Sequence, residues 1–158
     1  MNINGHGFRD HLHLVAPLYG LIGAVWALRM ILAAAGAPHG VVVMVSVTVA
    51  TAFSILVSVM LIHVRRFGSY SNVVFVAFLL SVWENFLIAA AVAIAAVTGR
   101  GNIYTALEYS GRTPTYLAHV IAQMTFGVGF GTIFGTAMGW FLLWMLRQLP
   151  GETSSQKR

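Results

Sequence analysis

Apolar residues in this chain do not alternate with polar ones at the spacing of a strand. They run on, almost unbroken, for twenty residues or more. A hydrocarbon core about 30 Å thick is crossed by about 20 helical residues, each rising about 1.5 Å. Four stretches reach that length, over about 14–35, 41–63, 73–98 and 116–147. The pattern predicts an all-α integral membrane protein: a four-transmembrane-helix bundle with up-down topology, forming a single transmembrane domain over 1–158. A short N-terminal segment precedes the first span and a polar tail, 150–158, follows the last.

The links between spans set their direction. Gly36 to Gly40, with Pro38, is a tight uncharged turn, so the first two spans form an antiparallel hairpin. Arg9, Arg65, Arg66, Arg147, Lys157 and Arg158 fall on one side of such a bundle, and Arg100 and Arg112 on the other. Basic residues collect on the cytoplasmic side of a membrane, so both termini are expected in the cytoplasm, in a bacterial inner (plasma) membrane. A cleavable signal peptide ending near Ala35 is the competing reading of the first span. Asp10 in its n-region and Arg29 in its apolar run argue against it.

Composition agrees with this picture. Hydrophobic residues make up 58% of the 158 and charged residues 8%, where soluble domains carry about 25% charged. Nine Lys and Arg against four Asp and Glu are scattered between apolar runs, which points to the lipid bilayer as a partner and not to nucleic acid. With no Cys, thiolate catalysis, Cys-held zinc and iron–sulfur clusters are excluded.

Span four carries the most regular motif: Gly127, Gly131, Gly135 and Gly139, spaced by four. One helical turn separates successive members, so they line one side as a helix-packing face, a glycine zipper. Ala16, Gly20 and Ala24 on span one form a matching strip. Packing within the chain is the first expectation, and a homo-oligomer or docking onto other membrane subunits the second.

Ionisable groups within a span are costly, at least about 2.5 to 3.5 kcal/mol on insertion scales, and mark function by default. Arg29, fifteen residues past Leu14, and Glu84, twelve past Asn72, reach depths of about 22 and 18 Å from the cytoplasmic side. Gln123 comes to a similar level, with Asn85 beside Glu84 and His119 one turn from Gln123. Arg29, Glu84, Asn85, His119 and Gln123 are therefore a candidate ligand or ion cluster in the outer half of the bundle. The structural alternatives are Arg29 snorkelling to the interface and a merely structural Arg29–Glu84 pair.

Six histidines raise haem or metal binding. No metal site is predicted and no cofactor is expected. A bis-His haem b, held by His13 with His63 or by His39 with His119, is kept as an alternative. Enzyme motifs such as His-Glu-x-x-His or a nucleophile elbow are missing, which favours a non-enzyme. In the outer loop Ile103, Tyr104 and Leu107 recur at helical spacing opposite Arg100, Glu108 and Arg112, predicting a short interfacial helix or an irregular loop. Thr113 and Pro114 read as the cap and first residue of span four. A non-catalytic subunit or scaffold of a membrane assembly is the leading expectation. A small solute or ion transporter or channel using the Arg-Glu-Gln cluster comes next, and a haem redox subunit third.

Overall fold

A computed structural model describes residues 2–3, 5–106 and 115–148. It is all-α apart from a two-residue antiparallel ladder at the start, β1 (Asn2–Ile3) with β2 (His6–Gly7). Four helices are long and apolar enough to cross a membrane, at Phe8–Ala34, His39–Val64, Tyr70–Thr98 and Tyr116–Gln148. The first is α1 (Phe8–Ala34) and the third α4 (Tyr70–Thr98).

The second and fourth are not uniform. The second divides into α2 (His39–Met44) and α3 (Val47–Val64), because Val45 and Ser46 leave helical geometry at ψ 79° and 120°. The local sequence explains the break. Val41, Val42, Val43, Val45, Val47 and Val49 are β-branched and stiff in a helix. Ser46 meanwhile offers its hydroxyl to the Val49 N–H at 3.3 Å, capping α3 in competition with a continuous helix. The fourth span is α5 (Tyr116–Ala122), a π-helical segment (Gln123–Gly127) and α6 (Val128–Gln148). Sequence periodicity showed neither interruption.

Helix ends follow capping chemistry. Thr115 caps α5, its hydroxyl accepting from the Ala118 N–H at 3.2 Å. The cap expected at Thr113, with Pro114 as the first helical residue, is found two residues further on. Those two residues, with Leu107, Glu108, Tyr109, Arg112 and the tail 150–158, lie outside the described residues. In the described part of the outer loop, only one 3₁₀ turn, Ile103–Thr105, stands where a short interfacial helix was one expectation.

Contacts at the two ends show the up-down order. At one end His6 stacks on Phe67, with centroids 3.9 Å apart, while Arg147 lies over the Tyr70 ring and reaches the Gly68 carbonyl at 3.3 Å. The start of α1, the Arg65 loop and the end of α6 therefore lie together, bringing Arg9, Arg65, Arg66 and Arg147 to one end. At the other end Asn102 donates to the Ala91 carbonyl at 2.6 Å, and the 36–40 turn borders Gly101 to Ile103. The central helix is α4, which touches α1, α3, α5 and α6. Tyr19 and Trp83 join it to α1, with the Trp83 indole donating to the Tyr19 carbonyl at 3.1 Å.

The four glycines of the fourth span face α4 and α3. A Cβ at Gly135 would stand 2.5 Å from Ile55 Cδ1, and one at Gly139 2.5 Å from Val73 Cγ1 and 3.1 Å from Val59 Cγ2. A spacing of four in a helix of 3.6 residues per turn drifts by about 40° per step. The row accordingly begins against α4 alone, at Gly127 and Gly131, and ends in the groove between α3 and α4. Span one is not its counterpart: nothing lies within 4 Å of a Cβ placed at Gly20 or Gly23.

Candidate functional site

Above the level of Gly135 the bundle holds a half-enclosed cavity of about 630 Å³. Each of Arg29, Glu84, Asn85, His119 and Gln123 lines it, contributed by α1, α4 and the fourth span. Arg29 and Glu84 are 5% and 6% exposed, so neither side chain is spread into the surroundings. Arg29 in particular does not snorkel outward. Its guanidinium carbon lies 5.1 Å from the centroid of the Tyr104 ring, and Tyr104 also lines the cavity. A guanidinium over an aromatic face is favourable, the more so where water is excluded.

Glu84 is held differently. It comes from α4 toward the first turns of α3, where Thr48 and Thr51 are its polar neighbours and Thr48 lines the same cavity. The N-terminal end of a helix carries partial positive charge, so the break at Val45 and Ser46 offers a favourable setting for an acidic group inside the bundle. Ser46, Val47 and Thr48 line the cavity at that break.

The fourth span completes the polar wall. Gln123 donates from Nε2 to His119 Nε2 at 3.3 Å, one turn apart across the junction of α5 and the π segment. Asn85 donates to the Ser81 carbonyl of its own helix at 2.8 Å. Its amide oxygen fills the place a Cβ at Gly127 would take, and Ser81 Oγ lies 2.8 Å from a Cβ position on Gly131. The upper two glycines thus make room for polar side chains of α4, and the lower two for apolar packing. A π segment is a rare departure from α-helix that gathers at functional sites, and here it borders the cavity with Gln123 and Gly127.

Three contributors escaped the sequence reading. Tyr104 has the look of an interfacial tyrosine, and Thr48 and Ser46 of ordinary residues in an apolar run. Their only signal is the interruption of a valine-rich span by a capping Ser. On α3, Ser54 and Ser58 donate to the carbonyls of Ala50 and Ser54, one turn back, at 2.7 and 2.9 Å.

Four of the six histidines line three different cavities. His119 lines the large cavity, whereas His39 lines a separate one of about 370 Å³ between the 36–40 turn and Gly101 to Ile103. His13 borders a third, about 320 Å³, at the opposite end with His6 and Asp10. Among the described residues no group of three His, Cys, Asp or Glu is placed to hold a metal. No family model matches this chain, and neither the curated proteins nor the solved structures provide a match.

Proposed function

We propose that this multi-pass membrane protein binds a small polar ligand, or the polar part of a larger one, in the intramembrane cavity, as a small transporter or carrier does. One observation carries the reading: a cation, a carboxyl, two amides and an imidazole from three spans line a single cavity of about 630 Å³, within the range of about 300 to 1,000 Å³ usual for ligand sites. Packing alone does not call for such a set, because each buried ionisable group lowers stability unless it is compensated.

Native mass spectrometry of protein released from its membrane tests this. The wild type should retain a non-covalent adduct, and Ala52→Phe, which projects a ring into the cavity from α3, should lose at least 90% of it while remaining folded. An adduct equally abundant in both would reject the cavity as its site.

The scaffold reading comes second and has its own support. Ala16, Gly20 and Ala24 face out of the bundle from α1, leaving a small-residue strip on which another transmembrane helix can approach closely. Native masses report it too: a stable dimer or hetero-complex, without an adduct, would favour association as the main role.

The proposed setting is a bacterial inner membrane with both termini in the cytoplasm, because the end carrying Arg9, Arg65, Arg66 and Arg147 is the basic one. A reporter fused after Arg158 should be active only on the cytoplasmic side, and one inserted at Gly101 only on the outer side. The reverse pattern would overturn this orientation, and both reporters on one side would overturn the arrangement of four spans.

A further inference from the structure

We infer that the occupant of the cavity is a bilayer lipid with a zwitterionic headgroup, an anionic phosphate joined to a primary ammonium, inserted sideways between the second and fourth spans. The inference rests on the cavity being a ligand site and adds what the ligand is and how it enters.

The route comes from the walls. On the fourth span the cavity is bordered by Phe130, Phe134 and Met138, of which the first two are 66% and 56% exposed. They lie within six residues, about 9 Å, of the middle of the 33-residue fourth span, which is hydrocarbon depth and not the aqueous surface. The facing lip, Val43 and Thr48 beside the break in the second span, is exposed as well. Below the cavity Ile55 and Val59 pack against Gly135 and Gly139. At Gly127 and Gly131 the row is met by Asn85 and Ser81 of α4 instead. The second and fourth spans are thus joined lower down, and the cavity lies between them above the join. At the end of the cavity toward the 3₁₀ turn, Tyr104 is 3% exposed and lies against Arg29.

The headgroup comes from the charges. Among the described residues the cavity offers one guanidinium, Arg29, and one carboxyl, Glu84, with amides and an imidazole around them. A net-charged occupant would leave an uncompensated charge in a low-dielectric site, which is the costly outcome. A molecule bearing both signs satisfies both groups. Guanidinium pairs with phosphate through parallel N–H donors, and a carboxylate accepts from an ammonium. Acyl chains then leave over Phe130 and Phe134, where the wall is apolar and open.

Lipid-depleted protein reconstituted into vesicles of equimolar phosphatidylethanolamine, phosphatidylglycerol and diacylglycerol should, on native mass spectrometry, retain phosphatidylethanolamine at least tenfold over the other two. Glu84→Gln, which removes the ammonium acceptor, should bring the phosphatidylethanolamine to phosphatidylglycerol ratio near one. Should that variant fail to fold, the wild-type ratio still decides. Equal retention of all three lipids by the wild type, or preference for phosphatidylglycerol, overturns the inference. Water-soluble phosphoethanolamine, added at millimolar concentration to the lipid-depleted protein, separates the sources. Retention of it with no lipid selectivity overturns lateral entry while leaving a ligand site in place. If the native adduct sensitive to Ala52→Phe proves to be neither lipid nor phosphoethanolamine, the inference falls and the proposed function stands. If no such adduct exists and no lipid is selected, both fall.

Discussion

Gly135→Leu and Gly139→Leu should each abolish the stable bundle, whereas Gly129→Leu should leave it intact. At Gly135 even a methyl group would stand 2.5 Å from Ile55 Cδ1 and 3.3 Å from Ala77 Cβ. At Gly139 it would meet side chains of both α3 and α4. Ile55, Val59 and Val73 are themselves buried, so they have little space into which to retreat. Overpacking of this kind costs about 1 to 3 kcal/mol for added methylenes, and a whole isobutyl group facing two helices belongs at or above the upper end. Gly129 sits on the same helix with nothing within 4 Å of its Cβ position. There a side chain meets no obstacle, and helix propensity improves by up to about 1 kcal/mol. The fraction of monodisperse protein surviving a heating series in detergent measures all three. Equal survival of Gly135→Leu and Gly129→Leu would show that the tight approach of α6 to α3 and α4 does not hold the protein together. Graded behaviour is expected along the row, because Gly131 meets only Ser81, whose hydroxyl can rotate away and leave its Cβ at 3.1 Å as the nearest obstacle.

Glu84→Gln and Arg29→Gln should each lower stability substantially, and the double variant should recover part of the loss. Both groups are almost wholly buried on the walls of one cavity, and they bring opposite formal charges to it. Removing one partner from a buried pair costs about 3 to 5 kcal/mol, chiefly because the other charge is left uncompensated. Glutamine has nearly the shape of glutamate and keeps a polar group beside Thr48 and Thr51, so the loss there reports charge more than shape. Arg29→Gln additionally gives up the stacking on Tyr104. Its deficit should therefore be the larger of the two, and recovery in the double variant incomplete. Unfolding equilibria in mixed micelles, read as a double-mutant cycle, give the coupling directly. Strictly additive losses would mean that the two groups act separately, Arg29 through Tyr104 and Glu84 through α3. In that case the charge balance across the cavity would lose its energetic basis.

The two predictions draw on features of different legibility. The glycine spacing and the intramembrane Arg and Glu can be read from one line of sequence, because small residues at one-turn intervals and charges inside apolar runs are both improbable unless the fold uses them. Tyr104, Ser46 and Thr48 cannot. A tyrosine in an outer loop fits a membrane interface, and a serine among valines carries no label until the span is seen to divide there. The strip on span one misled for a related reason: small residues announce that a close approach is permitted, not which helix makes it.

By itself the sequence determined the number of spans, their approximate limits and which links lie together, since hydrocarbon thickness and the cost of unpaired backbone groups in lipid leave an apolar run of about 20 residues little choice but a helix. It also marked the residues too expensive to be incidental. Tertiary structure alone decided which helices the glycine row meets, that the second span breaks and the fourth contains a π segment, and that Arg29, Glu84, Asn85, His119 and Gln123 line one cavity. Those outcomes depend on rotation of each helix about its axis and on local competition between capping and helix continuation. Hydropathy is blind to both, because a helix turned by half a revolution has the same composition and the same length.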